Sequence, residues 1–126
     1  MRRAKLRTTV DRYELLVNIA WLDATDANPT VRGYLPGDRL VATWRGTLPP
    51  MPAGEAATVV FERHNSSGRP DRHVGPSLSV GDVIVLSGTD RRPVVVAVAP
   101  AGFVPVDSPA AAEVERTRGW RELTRA

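Results

Sequence analysis

The chain has 126 residues, 17 basic and 14 acidic side chains, a formal net charge of +3 and no cysteine. This length predicts one domain that is large enough to bury a modest core. The lack of cysteine excludes a disulfide framework, a thiolate metal site and a cysteine nucleophile, and it fits a cytoplasmic protein. No apolar run approaches the roughly 18 residues of a membrane-spanning helix, so we expect no membrane partner.

The basic residues are almost all arginine, with Lys5 as the single lysine. This bias, with abundant Ala, Val, Pro and Gly, is typical of high-GC bacterial genomes such as those of actinobacteria. Arginine binds phosphate well, so a nucleic-acid partner is one hypothesis. A net charge of +3 spread along the chain is nevertheless a weak signature of that partner.

The first part of the chain predicts a tail, a strand and a loop. Residues 1–9 are basic and polar, and they predict a flexible tail before a single domain at 10–126. Residues 13–22 are ambiguous between helix and strand, but a strand is favoured because apolar side chains alternate at Leu15, Val17, Ile19 and Trp21. Residues 23–29 predict a loop whose acidic spacing lacks the central Gly and closing Glu of a calcium loop.

Two Gly-Asp pairs, Gly37-Asp38 and Gly81-Asp82, each precede an apolar run. Glycine reaches positive φ without a steric clash, and an aspartate side chain accepts bonds from nearby backbone N–H groups, so each pair predicts a turn. We predict strands after these turns at about 39–47 and 83–87. The pairs indicate a small curved sheet or partly closed barrel, but their flanking residues differ too much for a true repeat.

Between these strands, the run Pro49-Pro50-Met51-Pro52 is expected to break the chain. The segment from Gly54 to Arg63 is ambiguous, because its first half favours a helix and its β-branched second half favours a strand. We predict a short helix there. A long polar loop is expected from His64 to Gly75.

The last part of the chain predicts a meander and a terminal helix. Strands at about 83–87, 94–99 and 103–106 are separated by turn residues. Ser108-Pro109 is typical of a helix start, since serine caps the first turn and proline suits the first helical position. With a C-terminal helix at about 109–124, the predicted class is α+β: a strongly curved, mostly antiparallel sheet or partly open barrel, with a short middle helix.

The motifs that carry a family resemblance lie at about 40–106. They are Phe61, Asn65, Arg69-Pro70, the run Ser77-Leu78-Ser79-Val80-Gly81-Asp82-Val83-Ile84, and Ala101-Gly102-Phe103, preceded by an early strand that ends in Gly46-Thr47-Leu48. Their order resembles the YodL-like domain. The resemblance implies a module of bacterial chromosomes or mobile elements, without established catalytic residues, and suggests a role in protein–protein contact.

The basic loop at 63–73 is the main candidate for chemistry. Arginine forks and serine hydroxyls bind phosphate oxygens, and a glycine lets the backbone approach. A solvated connection is the simpler interpretation, because the ordered spacing of a glycine-rich phosphate cradle is missing. In the nucleic-acid hypothesis the binding residues are Arg2, Arg3, Lys5, Arg7, Arg63, Arg69 and Arg72.

The two histidines, His64 and His73, suggest an acid–base pair as in a small ribonuclease, or two zinc ligands. Both hypotheses are weak, because a polar loop gives little rigid support and further ligands are not evident. The chain also lacks a nucleophile elbow, a phosphate-binding loop and a dinucleotide fingerprint. We therefore predict no catalytic residue, no cofactor and no metal, and hence no enzyme.

A late tryptophan on the predicted C-terminal helix is a candidate anchor for a partner, since exposed Trp and Arg often dominate interfaces. The residues concerned are Arg116, Trp120 and Arg121. The leading hypothesis is a non-catalytic, cytoplasmic protein-interaction module with an unknown protein partner. The alternative is a nucleic-acid-binding domain, and the oligomeric state does not follow from the sequence.

Overall fold

A computed structural model describes residues 6–20, 29–73, 75–89, 92–107 and 114–115. The strands are β1 (Thr9–Asn18), β2 (Leu40–Pro52), β3 (Val83–Ser87), β4 (Val94–Ala99), β5 (Gly102–Pro105) and β6 (Val114–Glu115). The helices are α1 (Pro29–Arg32) and α2 (Ala53–Arg63).

The strands form one sheet in the order β5-β4-β3-β1-β2-β6. The central strand β1 pairs antiparallel with β2 and β3, and β3, β4 and β5 continue as an antiparallel meander. Only the two residues of β6 pair parallel, with Leu40 and Val41 of β2. Within the described strands the sheet is open, so the predicted α+β class with a mostly antiparallel sheet is confirmed.

Helix α2 covers one face of the sheet. Its buried residues Ala53, Ala56, Ala57 and Val60 recur at the spacing of one helical face. They pack with Leu15, Ile84, Leu86 and Val96 from the three central strands. The predicted middle helix is therefore confirmed, and no helix within the described ranges is long and apolar enough to cross a membrane.

The proline run at 49–52 was predicted to interrupt the chain, but strand β2 continues through it to Pro52. That prediction is wrong. Val10 pairs with Met51 and Arg12 pairs with Thr47, so β2 has extra residues opposite this part of β1. Pro49 and Pro50 lie among these extra residues. A proline is tolerated at such an irregularity, because the ladder does not need its missing N–H group.

The two chain ends differ from the predictions. The ordered domain begins before residue 10, because Leu6 packs against the core and the carbonyl of Thr8 accepts a hydrogen bond from Ala53 N at 2.8 Å. In the range of the predicted C-terminal helix, the two described residues, 114 and 115, form strand β6. The rest of that predicted helix, including its start at Ser108-Pro109, lies outside the described residues.

Candidate functional site

A buried chain of hydrogen bonds connects β1 to the loop after α2. Tyr13 Oη lies 2.6 Å from His64 Nε2, and His64 Nδ1 lies 2.8 Å from Asp71 Oδ1. His64 and Asp71 are fully buried, and Tyr13 is 3% exposed. An Asp–His–hydroxyl order is familiar from nucleophilic catalysis, but here all three groups are withdrawn from solvent.

The direction of these bonds follows from the donors that each group has. The Asp71 carboxylate accepts, so His64 donates from Nδ1, while the hydroxyl of Tyr13 can either donate to or accept from Nε2. Arg63 Nη1 donates to Tyr13 Oη at 3.3 Å and to the carbonyl of Thr47 at 2.9 Å. At the other end, Arg69 Nη1 lies 3.2 Å from Asp71 Oδ1. An arginine guanidinium therefore lies at each end of this chain of hydrogen bonds.

His64 continues the buried face of α2, since it follows Val60 by four residues and its N–H bonds to the Val60 carbonyl at 3.0 Å. The sequence contains this signal, but Asp71 has no comparable one. The prediction of a solvated loop is therefore wrong at His64 and Asp71. It agrees with the structure at residues 65–68 and 72–73, which are exposed.

Tyr13 reaches His64 because it crosses a glycine on the neighbouring strand. Tyr13 and Gly46 are cross-strand partners, and a Cβ atom on Gly46 would lie 2.5 Å from Cζ and Oη of the tyrosine. The guanidinium carbon of Arg63 lies 5.7 Å from the centre of the Tyr13 ring. The ring of Trp44 is 6.5 Å from that of His64. Glycine at 46 thus provides the space for the phenol.

A second polar cluster joins the two Gly-Asp turns at Asn18, a residue that no sequence motif indicated. Asn18 Nδ2 donates to Asp38 Oδ2 at 2.9 Å and to the carbonyl of Gly81 at 3.0 Å, while its backbone N–H donates to Asp82 Oδ1 at 2.8 Å. Both glycines, at 37 and 81, have φ of +95°. The predicted turns are confirmed, and they converge at one end of the sheet.

The two aspartates of this cluster have opposite pKa shifts. Burial raises the pKa of Asp82 to about 7, although backbone N–H groups of Asn18 and Ser79 donate to it. Burial also acts to raise the pKa of Asp38, but bonds from Arg32, Asn18 and the backbone of Leu35 outweigh it and hold that pKa below its ordinary value. The difference arises because the Arg32 guanidinium contacts Asp38, at 2.8 and 2.9 Å.

An open groove lies on the sheet face opposite α2. Its volume is about 410 Å³. In two cross-strand rows, Arg12 stands between Thr47 and Ser87, and Glu14 stands between Arg45 and Val85. We call this surface the sheet groove, and it is lined by Arg12, Tyr13, Glu14, Arg45, Gly46, Thr47, Val85 and Ser87.

The arginines of the sheet groove are exposed, whereas its acidic residue is not. The side chain of Arg45 is 78% exposed and that of its partner Glu14 is 13% exposed, and Arg45 Nε donates to Glu14 Oε2 at 3.0 Å. Arg12, 59% exposed, donates to Asp11 and to the carbonyl of Gly88. This surface was not predicted from the sequence. The period-two spacing of polar residues on each strand was visible, but the pairing that joins the strands was not.

The residues predicted for nucleic-acid binding are not all available at the surface. Arg7 and Arg72 are exposed, while Arg63 and Arg69 are half-buried and donate to groups of the fold. The other predicted residues of the two hypotheses lie outside the described part of the chain: Arg2, Arg3, Lys5, Arg116, Trp120 and Arg121. Within the described residues, no group of three His, Asp or Glu side chains is placed to hold a metal ion.

Comparisons with protein-family models, with curated proteins and with solved structures found no match. The resemblance to the YodL-like domain therefore stays a prediction from the motif residues.

Proposed function

We propose that this protein is a non-catalytic, cytoplasmic interaction module of a bacterial chromosome or mobile element, and that a protein partner binds in the sheet groove. The observation that carries the proposal is the groove itself. Arg12, Arg45 and Thr47 of its two rows are exposed to solvent. Other residues of the same sheet face are packed, since Leu16, Val83 and Ala97 are at most 5% exposed. Surfaces of this kind, with arginine at the rim, are suited to recognition.

The buried polar groups support a structural role more than a catalytic one. A general acid or base must reach the proton that it transfers, but Tyr13, His64 and Asp71 bond to one another inside the core. Asp82 is likewise 4% exposed and accepts two backbone N–H bonds. These groups fix the loops and strand ends around the sheet, and so they hold the groove in shape.

The size of the sheet groove fits a segment of a partner rather than a whole domain face. Ligand sites typically have volumes of about 300–1,000 Å³, and this open groove has a volume of about 410 Å³. Such a volume accommodates a few side chains. We expect a binding affinity in the micromolar range that is typical of small, transient contacts.

Site-specific photo-crosslinking in cells tests this proposal. A photoreactive amino acid is placed at Thr47 or Ser87 in the sheet groove, and at Thr58, an exposed position of α2, as the control. The expected result is one protein that crosslinks from both groove positions and not from α2, and that binds the purified chain. Crosslinks that are equal from all three positions, or none from the groove, would overturn the proposal.

Nucleic-acid binding is the second candidate, and the exposure of Arg7 and Arg72 favours it. Titration with random duplex and single-stranded DNA and RNA at several salt concentrations tests it. If Arg72 contacts a phosphate, Arg72→Ala should lower affinity for all sequences and reduce the salt slope by about 1. Unchanged binding by the variant would show that Arg72 does not contact the nucleic acid. Absence of binding by the wild-type protein at low salt would contradict the nucleic-acid hypothesis.

A further inference from the structure

We infer that the sheet groove binds an extended acidic peptide segment, with carboxylates at positions i and i+2 that contact Arg12 and Arg45. This inference rests on the proposed function and specifies its ligand. It is carried by the exposure, the charge and the spacing of these two arginines.

Both guanidiniums keep most of their donors for a ligand. Arginine has five N–H donors. Arg45 makes one hydrogen bond, from Nε to Glu14, and Arg12 makes two, to Asp11 and Gly88. Carboxylates accept paired bonds from arginine, and such charge-assisted bonds are stronger than neutral ones. The hydroxyl groups of Thr47 and Ser87 on either side of Arg12 can donate to the same carboxylate.

The spacing of the two rows matches an extended chain. Arg45 pairs with Glu14, two residues along β1 from Arg12, so the two arginines belong to adjacent rows on one face. Rows two residues apart in a strand are separated by about 7 Å, and side chains i and i+2 of an extended peptide have the same separation and the same direction. A peptide running along β1 therefore brings one carboxylate to each row.

The surface also continues in the direction of the strands. Arg45 and Glu14 border a second depression of about 380 Å³ that Ala42, Thr43 and Trp44 complete. An elongated ligand can occupy both depressions, whereas a compact anion would occupy one. This continuity favours a polypeptide segment over a free phosphate or a small acid.

Glu14 favours a peptide over a nucleic-acid strand. Its carboxylate lies in the same row as Arg45 and accepts a hydrogen bond from Arg45 Nε. A nucleic-acid strand would bring phosphates along the whole groove, whereas the peptide brings a single carboxylate to this row. A peptide presents backbone N–H groups between its side chains, and these can donate to Glu14.

The test measures binding of the full chain to two synthetic nine-residue peptides by calorimetry and by NMR of the amides at 45–47 and 85–87. One peptide carries Val-Glu-Thr-Glu-Val at its centre, and the other has the same composition with the two glutamates adjacent. Adjacent glutamates point to opposite sides of an extended chain, so that only one can reach the groove. We expect at least fivefold tighter binding of the first peptide, weakening with salt.

Variants connect this binding to the two arginines. Arg12→Ala and Arg45→Ala should each lower the affinity at least fivefold. Arg72→Ala, which removes the same charge from an exposed site on the loop after α2, should change it less than twofold. Circular dichroism confirms folding of each variant. Equal affinity for both peptides, equal effects of the three variants, or stronger competition by single-stranded DNA than by the first peptide would overturn the inference.

The outcomes also separate the inference from the proposed function. If a partner crosslinks from Thr47 and Ser87 but the purified protein shows no preference for the peptide with alternating glutamates, the function stands and the acidic ligand is wrong. If neither crosslinking nor peptide binding involves the sheet groove, both are wrong.

Discussion

The imidazole of His64 and the carboxylate of Asp71 lie 2.8 Å apart and are fully buried, seven residues apart in the chain. The residues just after His64 and those just after Asp71 are exposed. This bond therefore attaches an otherwise solvated loop to the end of α2. Through Tyr13 it also connects that loop to β1, the strand that contributes Arg12 and Glu14 to the sheet groove.

Tyr13→Phe tests the contribution of this hydrogen-bond chain to stability. The change leaves His64 Nε2 buried without its hydrogen-bond partner and removes one acceptor of Arg63, so we expect a loss of about 1–3 kcal/mol in the free energy of unfolding. Urea denaturation measures it. Ser67→Ala, an exposed change on the same loop, should cost less than about 0.5 kcal/mol. If Tyr13→Phe is as stable as the wild type, the hydrogen bond of Tyr13 to His64 does not contribute to the free energy of unfolding.

Gly46→Ala should destabilise the protein because its Cβ would meet the Tyr13 ring at 2.5 Å. Overpacking of this kind costs about 1–3 kcal/mol. Gly68→Ala is the matched control, since a Cβ there has nothing within 4 Å.

A double-mutant cycle locates the cause. In a Tyr13→Ala background, Gly46→Ala should cost much less, because the clashing ring is gone. An undiminished cost in that background would show that the backbone at residue 46, and not the tyrosine, requires glycine.

Gly81→Ala should destabilise more than Gly37→Ala, although both positions have φ of +95°. A left-handed conformation costs an alanine about 1–2 kcal/mol at either site. At Gly81 the added Cβ would also lie 2.7 Å from the carbonyl oxygen of Pro29, whereas at Gly37 it would meet nothing within 4 Å. Thermal and urea unfolding of the two variants measure the difference. Equal losses would mean that conformation alone matters.

Asp82 should make stability depend on pH in the opposite sense to an ordinary paired carboxylate. Its folded pKa of about 7 lies above the ordinary value of 3.8, so between these values the folded state binds more protons than the unfolded state. The contribution of Asp82 to stability is then complete below about pH 4 and falls as pH rises to about 7. Asp38, with its lowered pKa, instead stabilises above its ordinary pKa, and that contribution is lost at lower pH.

The comparison of wild type with Asp82→Asn isolates this effect, because other titrating groups are common to both proteins. We expect the stability of the wild type relative to the variant to decrease by several kcal/mol between about pH 4 and 7.5. Urea denaturation at four pH values across this range measures it. A constant difference would place the pKa of Asp82 outside this window.

Local sequence was sufficient for those features that depend on a few neighbouring residues. The turns at Gly37-Asp38 and Gly81-Asp82 follow from the freedom of glycine and from the aspartate side chain, and the meander after Val83 follows from its apolar runs. Helix α2 follows from its alanine-rich start. The same local patterns failed at the proline run, where an irregular pairing with β1 removes the need for the missing N–H groups.

Only the tertiary structure decided which distant residues meet. His64 could be placed on the buried face of α2 from its spacing to Val60, but its partners Tyr13 and Asp71 could not. The sheet groove needs Arg12 and Arg45 in adjacent rows, and that depends on the register between β1 and β2. A backbone preference acts over a few residues, whereas register is set by packing the whole sheet against α2, which is why the sequence determined the elements and the fold determined the site.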